Sequence, residues 1–192
     1  QEAKISFCKA IKINPDFADA HYNLGSVLSD IGKPQEAELS YRKAIKINPD
    51  FAPAHLNLGI LFKDHGNLNK AEISLRKAIE INPDFAKAYF VLSLFIIPKA
   101  NDYLITNLFS EEILKSKDNL EKTNKADIYF ARGDILERKK DFKESWKMFK
   151  VANLITRKKF KSNFKIFKEA LEKDNLSTKN VGSVSSIKNK IK

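Results

Sequence analysis

The sequence predicts an all-α protein, a solenoid of antiparallel helix pairs that forms a right-handed superhelix and ends in a C-terminal capping helix. Three observations predict this fold. The hexapeptide Ile-Asn-Pro-Asp-Phe-Ala begins at Ile13, Ile47 and Ile81, so the chain repeats itself every 34 residues. Residues 13–46 and 47–80 align without a gap and share 20 of their 34 residues. Apolar residues between the hexapeptides recur at helical spacing.

Each repeat contains two predicted helices, and its small residues indicate how they pack. The first helix of the first complete repeat has its apolar positions at Leu24 and Leu28, and the second has Tyr41. Small residues stand at three further positions, namely Gly25, Ala37 and Ala44. We expect the two helices to approach closely at these positions, with Tyr41 filling the gap beside them. One pair cannot bury this face alone, so neighbouring pairs should stack.

Turn residues punctuate the repeats. Gly32 and Gly66 lie between the two helices of a pair, where a residue without a β-carbon can adopt the left-handed conformation that ends a helix. Each Asn-Pro-Asp triplet should end one pair and start the next, because proline disfavours helix just before it. We expect the aspartate of each triplet to cap free N–H groups of the following helix.

These residues closely resemble the tetratricopeptide repeat over residues 1–97. The positions that carry the resemblance are Leu24, Gly25, Ala37, Tyr41, Ala44 and Pro49 in one repeat and Leu58, Gly59, Ala71, Leu75, Ala78 and Pro83 in the next. The resemblance implies a protein-interaction scaffold. It also implies that the first helices of successive repeats line a groove that receives a peptide or a neighbouring domain.

The predicted organisation becomes less regular along the chain. The segments are the second helix of an earlier repeat (1–12), two repeats (18–51 and 52–85), a lengthened repeat (86–125), a degenerate repeat (126–157), a basic amphipathic capping helix (158–174) and a flexible linker (175–192). The lengthening follows from the 40 residues between Ala86 and Ala126, six more than one period. Within it, residues 101–117 are typical of one helix, with Leu104, Leu108, Phe109 and Ile113 as apolar positions.

The later part also resembles the last repeat of bacterial proteins in which such an array precedes a sulfotransferase domain. The resemblance covers about residues 86–175 and rests on the stretches 128–136, 140–145 and 151–158. It implies that a catalytic domain of the same polypeptide could follow Lys192. It assigns no activity to residues 1–192.

The resemblance places eight residues in the groove: Tyr22, Asn23, Ser26, Leu56, Asn57, Ile60, Lys63 and Lys87. Asn23 and Asn57 occupy one repeat position and resemble the asparagine ladder of O-linked N-acetylglucosamine transferase arrays. An amide side chain donates and accepts hydrogen bonds, so it can pair with the backbone of any peptide. The alternative is that asparagine is simply common at this position. A carboxylate clamp is a poorer match, because only Lys87 fills one of its basic positions.

No enzyme chemistry is predicted for this chain. Neither a cofactor site nor a metal site is expected, because His21 and His55 lie one repeat apart and should pack between helices. Cys8 is the single cysteine and is expected to be an inert packing residue in a reducing, cytoplasmic compartment. The apolar stretch 89–97 is too short to span a membrane.

The C-terminal part is strongly basic. Residues 147–192 hold 13 of the 35 Lys and Arg residues but only 3 of the 24 Asp and Glu residues. Phe160, Phe164, Phe167 and Leu171 recur at helical spacing among lysines, which indicates an amphipathic helix. A capping role for the solenoid is the main interpretation. Binding of this tail to an anionic membrane surface or to nucleic acid is the alternative.

Overall fold

A computed structural model describes residues 2–96, 102–116 and 122–157. The predicted capping helix (158–174) and linker (175–192) lie outside these residues. Within them the chain forms α-helices and no strand, in the order α1 (Glu2–Ile13), α2 (Ala18–Asp30), α3 (Pro34–Ile47), α4 (Ala52–Asp64), α5 (Leu68–Ile81), α6 (Ala86–Ser93), α7 (Tyr103–Leu108), α8 (Glu112–Lys115), α9 (Lys122–Arg138) and α10 (Phe142–Arg157). The predicted all-α solenoid is confirmed.

The regular part of the solenoid consists of two complete hairpins, α2 with α3 and α4 with α5, each stacked on the next helix. Gly25 and Gly59 lie where the two helices of a hairpin are closest. A β-carbon on either glycine would lie 2.7 Å from an atom of Tyr41 or Leu75, respectively. The predicted close approach is therefore present in both repeats. Gly32 and Gly66 both have φ of +73°, which confirms their left-handed conformation.

The turns between repeats differ from the prediction in one respect. In each Asn-Pro-Asp triplet the asparagine side chain accepts a hydrogen bond from the N–H of the aspartate two residues on, at 3.0 to 3.2 Å. The residues that precede α2, α4 and α6 are phenylalanines, with no side-chain cap. The aspartate lies one residue too early to cap the helix. The asparagine therefore stabilises the turn, as an Asx-turn.

The predicted single helix over residues 101–117 is wrong. The described part of this segment forms two short helices, α7 and α8, separated by residues 109–111. The carbonyl of Leu108 accepts a hydrogen bond from the side chain of Arg132, at 2.8 Å, instead of continuing the helical ladder. Leu104, Leu108 and Ile113 are buried as expected, whereas Phe109 is exposed.

The last hairpin, α9 with α10, keeps the packing of the regular repeats and replaces some of their residues. A β-carbon on Gly133 would lie 2.6 Å from the ring of Phe149. Lys140 has φ of +62°, at the repeat position of Gly32 and Gly66. Ser145 stands where the regular repeats have alanine, and its hydroxyl donates to the carbonyl of Gly133 at 2.9 Å. This hairpin is therefore a repeat in geometry despite its divergent sequence.

Two clusters of buried side chains form the core. One lies among α2, α3, α4 and α5, and the other extends from α4 to α9. The second cluster includes Leu108 and Ile113, so the short helices α7 and α8 are part of the folded array. Among the described residues, no helix has the length and apolar character that a membrane crossing requires.

Candidate functional site: the groove formed by the first helices

Three predicted groove residues meet where α2 and α4 adjoin. The Asn57 side-chain amide donates to the Tyr22 hydroxyl and to the Ser26 hydroxyl, at 3.3 Å each. Tyr41 of α3 also donates to the Ser26 hydroxyl, at 3.3 Å. Burial raises the pKa of Tyr41, which keeps its hydroxyl protonated as a donor. The first helices thus carry a polar cluster that links two successive repeats.

The two asparagines differ in how the fold uses them. The Asn57 side-chain nitrogen donates its hydrogen bonds to Tyr22 and Ser26. Its side-chain carbonyl oxygen has no hydrogen-bond partner within the described residues. Asn23 is partly buried, and no described residue forms a hydrogen bond with its side chain. Asn23 therefore has both a donor and an acceptor available, and Asn57 has an acceptor.

Apolar groove residues surround this cluster to different degrees. The Tyr22 ring packs 5.1 Å from the ring of Phe51, measured between centroids, which holds its hydroxyl in place. Ile60 is partly buried against the core. Leu56 is only 7% exposed and belongs to that core, so it offers a ligand little surface. Its contact with a ligand stays a prediction.

The two lysines predicted for the groove have local partners. The Lys63 ammonium lies 2.7 Å from a carboxylate oxygen of Asp64. Lys87 is exposed, and its ammonium lies 4.9 Å from the centre of the Phe90 ring. Burial raises the pKa of Asp127 on α9, and the charge of Lys87 opposes that shift. The first helices therefore carry amide side chains at α2 and α4, and aromatic and charged side chains at α6 and α9.

Several side chains of α9 bind backbone carbonyls of residues 86–116, and these contacts were not predicted. Arg132 is 5% exposed and donates to the carbonyls of Leu108 and Ser110, at 2.8 and 2.6 Å. Burial lowers the pKa of Arg132 from its ordinary value. Arg138 donates to the carbonyls of Ser93 and Leu94 at the end of α6. These arginines satisfy carbonyls that have lost their helical partners.

The start of α7 is held by a third arginine, Arg76 of α5. Asp102 caps this helix by accepting from the N–H of Leu104 at 3.1 Å. The same carboxylate receives two hydrogen bonds from Arg76 of α5, at 3.1 and 2.6 Å. Asp102 raises the pKa of Arg76, mainly because Arg76 donates hydrogen bonds to its carboxylate, and Glu72 adds to this shift. An aspartate before a helical pattern is a recognised cap signal, so the sequence offered evidence for Asp102 but none for its partner.

Asn107 fastens α7 to the preceding turn. Its amide donates to the carbonyl of Pro83 at 2.9 Å and to the Tyr89 hydroxyl at 2.7 Å. Burial raises the pKa of Tyr89 to about 12. Nearby, the Ser116 hydroxyl donates to the Asp84 carboxylate at 2.6 Å. The C-terminal parts of α7 and of the α7–α8 segment are therefore both bonded to the third Asn-Pro-Asp turn.

His21 and His55 contact the turns that precede their helices, and Cys8 lies on the surface. The ring nitrogens of His21 and His55 lie 2.9 and 3.0 Å from the carbonyls of Pro15 and Pro49, so each ring ties its helix to the preceding turn. Cys8 is exposed, and its predicted role in packing is wrong. In the part of the chain that the structure describes, no group of three or more His, Cys, Asp or Glu side chains could hold a metal ion.

Comparisons with known proteins agree with this geometry. Two family models described as tetratricopeptide repeat match residues 18–51 and 40–73. Two crystal structures of MamA are similar to this chain. The first has 26% sequence identity and a TM-score of 0.59, and the match covers 82% of this chain and 89% of MamA. The second has 25% identity and a TM-score of 0.55, and the match covers 84% of this chain and 85% of MamA. The MamA RS-1 ArsTM double mutant shares the fold at 19% identity and a TM-score of 0.58, over 83% and 86%.

No curated protein sequence matches the chain significantly. The repeat matches and the structural similarity nevertheless agree with the 34-residue period, the paired helices and the glycine contacts. Tetratricopeptide repeats are generally non-catalytic and mediate protein–protein interactions. The chain is a tetratricopeptide-repeat protein, a helical scaffold of the kind that binds other proteins.

Proposed function

We propose that this scaffold binds an extended peptide segment along α2 and α4, with Asn23 and Asn57 as its principal contacts. The observation that supports the proposal most is the bonding of Asn57 to Tyr22 and Ser26, because it brings three groove residues from two repeats into one polar cluster. The Asn23 amide, which has no hydrogen-bond partner among the described residues, lies one repeat earlier at the same repeat position. Because Asn23 and Asn57 occupy the same position in successive repeats, they would bind regularly spaced backbone groups of an extended peptide.

The chemistry of the cluster favours recognition of backbone rather than of side-chain sequence. The Asn57 oxygen would accept a peptide N–H, and the Asn23 amide would pair with one N–H and one C=O. Tyr22, Ser26 and Ile60 would contact the side chains between these points. Val91 occupies the third ladder position, so backbone contacts would end after α4. Beyond it, Phe90 and Lys87 would contact an apolar or acidic side chain of the ligand.

The test uses peptides selected from a random library by phage display on the wild-type chain. Their affinities are then measured by fluorescence anisotropy for wild-type protein, for Asn23→Ala and for Asn23→Ala/Asn57→Ala. We expect the double variant to bind about tenfold or more weakly, because each lost hydrogen bond contributes about 1 kcal/mol. Methylation of the peptide backbone nitrogens should weaken binding to the wild type and have little effect on the double variant.

Asn69→Ala is the matched control, because Asn69 is an exposed asparagine on the second helix α5. It should bind as the wild type does. Asn23→Ala should leave the melting temperature unchanged, since Asn23 makes no hydrogen bond with the described residues. Unchanged peptide affinity in the double variant would sink the groove assignment, while the scaffold fold would stand.

A neighbouring domain of the same polypeptide is a second candidate partner. It follows from the resemblance of residues 86–175 to repeats that precede sulfotransferase domains. The coding sequence beyond Lys192 tests it directly. A strand followed by an Arg-Ser-Gly-Thr-like loop supports this partner, and any other sequence there rejects it.

A further inference from the structure

The second helices α1, α3 and α5 expose an aliphatic residue at the same repeat position. These residues are Ile5, Leu39 and Ile73, spaced 34 residues apart, and their side chains are 54%, 70% and 70% exposed. A single exposed leucine on a protein surface needs no explanation. Three exposed aliphatic residues at the same position of successive second helices form an aliphatic row, and their exposure means that they are not part of the core.

A row of lysines runs beside the aliphatic row. Lys9, Lys43 and Lys77 lie four residues after the aliphatic residues, which places them one helical turn further on the same face. Lys12 and Lys46 continue the stripe three residues later on α1 and α3. We name the surface of these two rows the second-helix face. It lies on α1, α3 and α5, whereas the proposed peptide groove lies on α2 and α4.

The lysine row retains positive charge because nearby acidic residues have partners. Glu36 bonds to Lys33, Glu38 to Arg42 and Glu72 to Arg76, at 2.6 to 2.8 Å. In contrast, Lys9, Lys12 and Lys46 form no ion pair with the described residues. Lys43 and Lys77 have only exposed partners, Asp16 at 3.9 Å and Glu80 at 2.9 Å. Basic residues near helix C-termini favour the helix dipole, but this effect does not account for the aliphatic row.

A shallow, mostly apolar depression lies beside this face, among α1, α2 and α3. It is lined by Cys8, Ile11, His21, Leu24, Leu39, Ser40 and Lys43. One repeat later, the position of Cys8 is occupied by Arg42, whose guanidinium lies 5.7 Å from the centre of the Phe62 ring. At this position α1 therefore has a short side chain where α3 has a long one that extends over a ring of α4. An aliphatic side chain of a partner would fit the open depression.

We propose that the second-helix face docks an acidic amphipathic helix from a partner protein. The leucine or isoleucine side chains of that helix would lie along Ile5, Leu39 and Ile73, and one would enter the depression beside Cys8. Its glutamates or aspartates would face Lys9, Lys43 and Lys77. This arrangement matches apolar surface to apolar surface and acidic charge to basic charge, which gives the contact both affinity and orientation.

The experiment measures the affinity of a fluorescein-labelled peptide of about 18 residues, long enough for several helical turns. Leucines occupy one face of the peptide, and glutamates flank them. The comparison probes are the same peptide with lysine in place of glutamate, a scrambled peptide of equal composition, polyglutamate, and phosphatidylserine-containing vesicles. We expect the wild-type chain to bind the amphipathic acidic peptide at least about tenfold more tightly than any comparison probe.

Two sets of variants locate the contact. Ile5→Gln/Leu39→Gln/Ile73→Gln should weaken binding by about tenfold or more, since the polar replacements remove apolar surface that the docked helix would bury. Lys9→Gln/Lys43→Gln/Lys77→Gln should weaken it and reduce its dependence on salt. The control Ile31→Gln/Leu68→Gln changes two exposed aliphatic residues outside the face and should bind as the wild type does.

Three results would overturn the proposal. The acidic amphipathic peptide could bind no more tightly than its scrambled form, or the aliphatic variant could bind as the wild type does. Alternatively, polyglutamate or vesicles could bind equally well, which would make the face a general site for polyanions. Circular dichroism and thermal melting of every variant exclude loss of fold as the cause. The groove variant Asn23→Ala/Asn57→Ala should bind this peptide normally, which separates the two proposed surfaces.

Discussion

The regular repeats at residues 18–85 and the irregular part at 86–157 use the same contacts between helices and different contacts at helix ends. In both, a glycine of the first helix meets a large side chain of the second, Tyr41 or Leu75 in one part and Phe149 in the other. In the regular part, glycines and asparagines close the turns. In the irregular part, Arg132, Arg138 and Asp102 bind the ends of short helices.

The comparison shows which positions specify the repeat. The glycine and the large residue opposite it persist in the last hairpin, because a β-carbon at the glycine would lie too close to the large side chain. The turn positions tolerate replacement, as Lys140 in the place of glycine demonstrates. Where the second helix of a repeat is shortened to α7 and α8, the exposed carbonyls need new donors, and arginine side chains supply them. Each of these differences can be tested by a substitution.

The largest expected effect comes from Arg132→Leu, which restores the residue that the regular repeats have at this position. Despite that, we expect a loss of about 3 kcal/mol in the free energy of unfolding, because two carbonyls lose charge-assisted donors. Urea denaturation measures the change. Arg132→Lys keeps the positive charge but lacks the forked guanidinium group. Its free energy of unfolding should therefore lie between those of the wild type and the leucine variant. Greater stability of the leucine variant would show that Arg132 does not stabilise the segment formed by α7 and α8.

A smaller effect, equal in the two regions, is expected for the close-contact glycines. Gly25→Ala and Gly133→Ala each place a β-carbon less than 3 Å from an aromatic ring. We expect each to cost about 2 kcal/mol, because the ring must move within a packed core. Thermal melting of both variants checks this prediction. A much smaller cost at Gly133 would mean that the last hairpin packs more loosely than the regular ones.

Two smaller changes in stability, of opposite sign, are expected at the left-handed turn position. Lys140→Gly should stabilise the protein by about 1 kcal/mol, because lysine is strained at positive φ. Gly32→Lys should destabilise the protein by a similar amount. No neighbouring atom would clash with the new β-carbon, so the cost comes from the positive φ alone. Chemical denaturation of the two variants gives both values. Changes of the same sign would contradict this account of the turn.

The smallest effect concerns Asp127. Its folded-state pKa is raised by burial, so the folded protein binds a proton more readily than the unfolded chain does. Stability should therefore fall as the pH rises from 3.8, the ordinary value, through the folded-state pKa. Asp127→Asn removes this loss and should raise the melting temperature at neutral pH but not below pH 3.8. An equal gain at both pH values would point to a cause other than titration.

The sequence predicted the parts of the fold that repeat. The 34-residue period located the hairpins, the close glycines and the left-handed turns, because each depends on residues near one another in the chain. The break between α7 and α8 was missed because it depends on Arg132, which lies 24 residues after Leu108. For the groove, the period identified Asn23 and Asn57, but the burial of Leu56 depends on packing with later helices that periodicity does not describe.

The central claim is that a peptide binds at the amides of α2 and α4. Nuclear magnetic resonance of nitrogen-labelled protein tests it most directly, by following the side-chain NH₂ signals of asparagine as a library-selected peptide is added. We predict that the signals of Asn23 and Asn57 shift, while that of Asn69 on α5 does not. Shifts at Asn69 and on the second-helix face, with Asn23 and Asn57 unchanged, would contradict the account.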